Sequence, residues 1–177
     1  PSGRGHETER SSEMKFGKRI RTEAVQSWGE HYVDYKGLKH LLKPLVVKGC
    51  PNDLEDEFRA AIIAEIEKVD RFFSGKECEL YAEFRNLCEE VTRTHLETYP
   101  GECNSLDKLV GALEGTAAGV LIRTFLSFSA RVDSMRKFIM MNTLAVVKIT
   151  KKHDKQSARQ LQWDMVSTVH KRHFYNS

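Results

Sequence analysis

Apolar residues recur at Leu54, Phe58, Ile62, Ile66, Val69 and Phe73, every step three or four positions long. That spacing places them on one face of an α-helix and excludes the alternation of a strand. Asn52 or Asp53 can cap its start, and Glu55, Asp56 and Glu57 suit a helix N-terminus. Ser74-Gly75 offers an interruption, but the pattern resumes at Leu80, Phe84, Leu87 and Val91, and Pro100-Gly101 provides the stop. One very long helix over about residues 53–98 is the expectation.

The rest of the chain reads the same way. Phe16 and Ile20 suit a short helix over about 15–25. After Gly29, a second fits about 30–43 with Leu38, Leu41 and Leu42 as its stripe. Pro44 lacks an amide hydrogen and ends or kinks it. Leu106, Leu109, Val110 and Leu113 suggest a helix weakened by Gly111, Gly115 and Gly119; strong periodicity returns over 120–155, and Leu161, Met165 and Val169 mark a last helix over about 158–171. With only 4 prolines and few strand-like segments, the fold class is all-α. Long helices joined by short turns imply an antiparallel bundle whose aromatic and Met residues form the core. The 177 residues suit one domain, able to bury about 70% of its unfolded surface. No apolar run approaches a membrane span, so a soluble protein is expected. Residues 1–13 lack periodicity and read as a leader without fixed structure or an expression remnant, with Met14 as the natural start. Cys50, Cys78, Cys88 and Cys103 form no Cys-x-x-Cys pair, which favours a reduced, cytosolic chain.

The net charge of +3 hides a pattern. Residues 15–48 carry +5 and 134–177 carry +7, while 53–102 between them carry −8. Either each basic block is a solvated face, or folding joins the two into one cationic surface. At 100° per residue, Lys148, Lys151, Lys152, Lys155 and Arg159 fall within an arc of about 100°, with Val146 and Ile149 turned elsewhere. Tyr32, Tyr35, Lys36, Lys39 and Lys43 share a similar arc on the second helix. Like charges gathered so closely repel one another without an anion. The natural complement is a compact molecule bearing several phosphates, held by mobile lysine charges and a directional tyrosine hydroxyl. A nucleic-acid surface would show more Arg and exposed aromatics. No phosphate loop, Gly-x-Ser-x-Gly or His-Glu-x-x-His motif is present, so no catalytic residue and no cofactor is assigned. His170 and His173 could chelate a metal, but a solvated helix end is the simpler reading and no metal is assigned. His153 stands among lysines, which disfavours a metal there too.

Three stretches carry a resemblance: Met14-Lys-Phe-Gly-Lys18, Tyr32-Val-Asp-Tyr-Lys-Gly-Leu-Lys39 and Lys148-Ile-Thr-Lys-Lys-His-Asp-Lys155. In this order and spacing the chain from Met14 onward closely resembles the SPX domain family. The resemblance implies an N-terminal helical hairpin packed on two long antiparallel helices, followed by small C-terminal helices. It implies a receptor for inositol polyphosphates and inositol pyrophosphates that reports cellular phosphate status to a partner protein or an attached effector domain. Carried over by motif, Tyr35, Lys39 and Lys152 match the family's phosphate-binding cluster. Lys148, Lys151 and Lys155 match its adjoining lysine surface, and Lys15 and Lys18 match N-terminal lysines bordering the site. Lys36 and Lys43 are added from the helical wheel. Three features depart from the family: Thr150 replaces an aliphatic residue and is expected to weaken packing, residues 1–13 precede the usual start, and Pro44 can shorten the second helix.

The expectation is therefore a cytoplasmic binding module, not an enzyme, with inositol phosphates as its ligands, no direct contact with nucleic acid, and membranes reached only through an attached domain. The alternatives are a basic helical module that docks an acidic protein and one that binds phosphoinositide membranes directly.

Overall fold

A computed structural model describes residues 16–46, 52–93, 115–157 and 159–176. Every regular element among them is helical. Residues 16–23 form α1, and a 3-10 turn at Gln26–His31 leads to α2 at Tyr35–Leu42. A second 3-10 turn, Pro44–Val46, precedes α3 at Asn52–Arg93. Then come α4 at Ala117–Asp154, α5 at Gln162–His170 and α6 at His173–Asn176. The chain divides into two compact units: residues up to Ser74 together with Arg136 onward, and Gly75–Met135.

The first unit holds the main core. Phe58, Ile62, Ile66, Val69 and Phe73 of α3 are buried, as the seam in the sequence requires. Phe138, Met141, Ala145, Val146 and Ile149 of α4 face them. The two helices run antiparallel, because Phe72 meets Phe138 (5.1 Å between ring centroids) while Phe58 stacks on His153 (5.2 Å). Phe138 is fully buried and also touches Trp28 and Tyr32, at 5.9 and 4.8 Å. His31 stacks on Phe72 at 4.0 Å. These rings seat the N-terminal hairpin on the long pair.

The hairpin departs from the sequence reading in one respect. The second helix begins at Tyr35 rather than near residue 30, so Tyr32 does not share its face with Lys36 and Lys39. The cause is two hydrogen bonds to distant parts of the chain and one local cap. The buried Val33 N–H donates to Asn142 Oδ1 (2.8 Å), and the Asp34 N–H donates to Glu65 Oε2 (2.7 Å). Asp34 then caps α2 by accepting the Gly37 N–H (2.8 Å). A Cβ at Gly37 would crowd the Asp34 carboxylate, so any other residue there would have to displace the capping group. Asn142 also donates to the Phe138 carbonyl (2.9 Å), which fixes the amide that receives Val33. Asn142→Ala is expected to cost about 1–2 kcal/mol, since a buried N–H loses its acceptor. Urea denaturation of the variant and parent checks it.

Other boundaries also moved. Ser74-Gly75 does not interrupt α3, and α4 begins a little earlier than the periodicity suggested. The last helix starts at Gln162 rather than near 158, because Asp154 accepts the N–H groups of Leu161 (2.8 Å) and Gln162 (2.9 Å). The four-residue α6 left no periodic signal, although the resemblance implies small C-terminal helices; its Phe174 is buried and its N–H donates to Asp70 (3.1 Å). Thr150 is buried, and its hydroxyl donates to the Val146 carbonyl (2.8 Å), so the core takes the polar atom by satisfying it. The helix expected around Leu106–Leu113, the leader 1–13, Cys50 and Cys103 lie outside the described residues.

In the second unit α3 and α4 again run antiparallel, with Phe84 stacked on Phe128 (5.8 Å) and Arg131 paired with Glu83. Leu87 is buried, but Phe84 and Val91 are exposed, so the second half of the α3 seam is only partly core.

Candidate functional site

The two basic blocks meet at Phe16. This buried ring packs edge-on against Tyr35 of α2 at 5.2 Å, and the Lys148 ammonium of α4 lies 5.0 Å from its centroid. One aromatic side chain thus links α1, α2 and α4, with a cation–π contact on the α4 side. Lys148 is half-buried and lies one turn from Lys152, also half-buried. Lys151 and Lys155 are exposed. Lys151 and Lys152 sit in the last turn of α4, where the helix dipole favours cations. Val146 and Ile149 are buried on the opposite side, as the helical wheel required.

On α2, Tyr35 is buried, Lys39 half-buried and Lys36 exposed. All three line a cavity of about 920 Å³ with Lys18 and Arg21 of α1 and Lys68 of α3. The α4 lysines do not line this cavity; their link to Tyr35 runs through Phe16. Lys43 is exposed at the C-terminal end of α2 and is not among the lining residues. Lys15 lies outside the described residues.

Sequence reasoning missed what holds the α4 ridge in place. His153, placed there among solvated lysines, is in fact fully buried. Its Nε2 lies 2.7 Å from Glu55 and its Nδ1 2.9 Å from Asp154. Ser157 donates to the same Glu55 carboxylate (2.6 Å), and Asp154 receives the start of α5. This knot ties the end of α4 to the beginning of α3 and so fixes the backbone that carries Lys151, Lys152 and Lys155. The signal was available: His153 continues the Val146–Ile149 apolar spacing by another four positions. Arg21 and Lys68 were also missed, because they lie outside the two ridges and the motifs that mark the site in the sequence.

Burial alone pushes the Glu55 carboxyl up. Hydrogen bonds from Ser157 and His153, with the nearby charges of His153 and Arg159, outweigh it and hold the group below the usual carboxylate range. Asp154 follows the same logic: burial raises it, while His153 and the Leu161 and Gln162 amides lower it further. A depressed carboxyl adds stability that is complete above its unfolded value and is lost as pH falls through the folded one. Stability should therefore decline as pH drops below about 5. Glu55→Gln should flatten that decline, measured by urea midpoints across the acid range.

His170 and His173 sit on different helices, His170 against Tyr175 (4.4 Å) and His173 against Phe73 (5.8 Å). The described residues contain no group of three or more His, Cys, Asp or Glu side chains able to hold a metal. No helix among them is long and apolar enough to cross a membrane.

Fold and surface together define an all-helical module with a hairpin seated on two long antiparallel helices and a cationic face where α1, α2 and α4 meet. The sequence profile of the SPX domain matches residues 14–48. SPX domain-containing protein 6 of Oryza sativa subsp. indica is 30% identical over 168 residues, covering 93% of this chain. Vacuolar transporter chaperone complex subunit 2 of Saccharomyces cerevisiae is 29% identical over 150 residues, covering 80% of this chain. The chain spans 65% of the length of the rice protein and 16% of the yeast subunit. Among solved structures, the SPX domain of Chaetomium thermophilum glycerophosphodiester phosphodiesterase 1, in complex with inositol hexakisphosphate, matches with a TM-score of 0.62 and 25% identity. That match covers 92% of this chain and 89% of the other. This chain belongs to the SPX domain family.

Proposed function

We propose that this domain is a receptor for inositol polyphosphates and inositol pyrophosphates, acting by binding rather than by catalysis. Tyr35, Lys39 and Lys152 form the phosphate-binding cluster, and Lys148, Lys151 and Lys155 the adjoining surface. Lys15, Lys18, Lys36 and Lys43 supply further charge around it. In the cytoplasm the bound ligand reports phosphate status to a partner protein or to a domain attached to this one. The observation that carries the reading is Phe16, packed on Tyr35 on one side and under Lys148 on the other. The inositol hexakisphosphate complex of the Chaetomium thermophilum domain supports the choice of ligand.

Each charge-assisted hydrogen bond to phosphate is worth about 1.5–3 kcal/mol, less where solvent screens it. Several acting together supply useful affinity without an enclosed pocket. Calorimetry with inositol hexakisphosphate at near-physiological salt tests the reading. Saturable binding at one ligand per chain, weakening as salt rises, is expected. Absence of binding, alongside capture by acidic peptides or by phosphoinositide vesicles that soluble inositol phosphate fails to compete, would replace it.

A further inference from the structure

The cavity beside Tyr35 and Lys39 contains two cations that the ligand reading does not use, Arg21 and Lys68, beside three that it does. Lys18 and Arg21 are three residues apart on α1, and Lys36 and Lys39 are three apart on α2, so each pair shares a helix face toward the same space. None of these four forms an ion pair among the described residues. Two of the lining carboxylates are already engaged. Glu65 pairs with Lys68 (2.6 Å) and accepts the Asp34 N–H (2.7 Å), while Asp34 caps α2 through Gly37 (2.8 Å). With Glu30 included, five cations face three carboxylates, and the surplus lies on α1 and α2.

This space is distinct from the α4 ridge. Lys148, Lys151, Lys152 and Lys155 do not line it, whereas Tyr35 and Lys39 do. Tyr35, which reaches the α4 ridge through Phe16, therefore borders two cationic regions, and about 920 Å³ exceeds what a single phosphate group occupies. Among the described residues that line the cavity, Arg21 is the one guanidinium, and its planar fork grips two phosphate oxygens at once, which an ammonium does not.

We propose that the cavity between α1, α2 and α3 is a second anion subsite for a further phosphate group of the ligand, and that Arg21 is the residue by which this chain favours a diphosphate-bearing inositol over one with single phosphates. The proposal rests on the ligand reading above. The ring is held by Lys39 and the α4 lysines, and the terminal phosphate of the diphosphate enters the cavity beside Arg21 and Lys36.

The test is calorimetry of the parent, Arg21→Gln, Arg21→Lys and Arg123→Gln proteins. Each is titrated with inositol hexakisphosphate and with a diphosphoinositol pentakisphosphate at the same salt. Arg123 is exposed in the second unit and controls for loss of one positive charge. Arg21→Gln is expected to weaken the diphosphate ligand about five- to tenfold and hexakisphosphate less than about twofold. Arg21→Lys should recover part of that loss, and Arg123→Gln should leave both ligands within about twofold. Arg21 is exposed, so melting temperatures are expected to match and to separate binding from folding. An equal loss for both ligands, or no loss for the diphosphate ligand, overturns the subsite while leaving the ligand reading standing. A parent protein that binds neither ligand overturns both.

Discussion

A Tyr35→Phe/Lys39→Ala/Lys152→Ala protein is expected to bind inositol hexakisphosphate about 100-fold or more weakly than its parent, a loss of about 3 kcal/mol. Lys39→Ala or Lys152→Ala alone should cost about 1–2 kcal/mol, roughly five- to thirtyfold. The single effects stay modest because both ammonium groups are only half-buried and share their work with neighbours. Their combination is large because it removes a cation from each of α2 and α4, the two helices that Phe16 links. Calorimetry at fixed salt measures the loss, and unchanged helical circular dichroism shows that folding is intact. Equal binding by parent and triple variant would remove the assigned cluster.

Phe138→Ala carries the largest expected effect on stability, about 3–5 kcal/mol. Phe138 is wholly buried and meets Trp28 and Tyr32 at the Gln26–His31 turn and Phe72 of α3. Truncation opens a cavity where the hairpin sits on α3 and α4. A loss of that size is a large fraction of the about 5–15 kcal/mol that holds a domain together. The substitution should also weaken ligand binding, because Tyr35 and Lys39 follow directly from the turn that Phe138 anchors. Phe138→Leu, which keeps most of the volume, should recover most of both. Urea unfolding and calorimetry of the two variants provide the check, and a Phe138→Ala midpoint equal to the parent's would contradict the packing described.

The long helices were legible because their apolar residues repeat over many turns. Phe58, Ile62, Ile66, Val69 and Phe73 needed no tertiary information to be placed on one face. The start of α2 was not legible, because it is set from a distance. Asn142 and Glu65 lie far along the chain from Val33 and Asp34, and nothing near residue 32 announces them. Asp34 and Gly37 together did hold a local signal, a capping carboxylate folding over a residue with no side chain. His153 shows another failure. Its neighbours Lys151, Lys152 and Lys155 suggested solvent, whereas its helical phase matched Ile149 and the core. Phase, not neighbouring charge, decides burial on a helix.

The site was half legible for the same reason. Periodicity alone put Lys36 and Lys39 on one ridge and Lys148 and Lys152 on another. That Phe16 would connect Tyr35 to Lys148 depends on where three helices meet, which spacing along one helix does not contain. Arg21 and Lys68 join the cavity through the same tertiary accident.

The most direct test is to follow the side-chain amine resonances of Lys39 and Lys152 by nuclear magnetic resonance as inositol hexakisphosphate is added. A single molecule gripped by both ridges should shift the two signals along one common saturation curve that ends at one ligand per chain. Movement of either lysine without the other, or two curves with different midpoints, would contradict it.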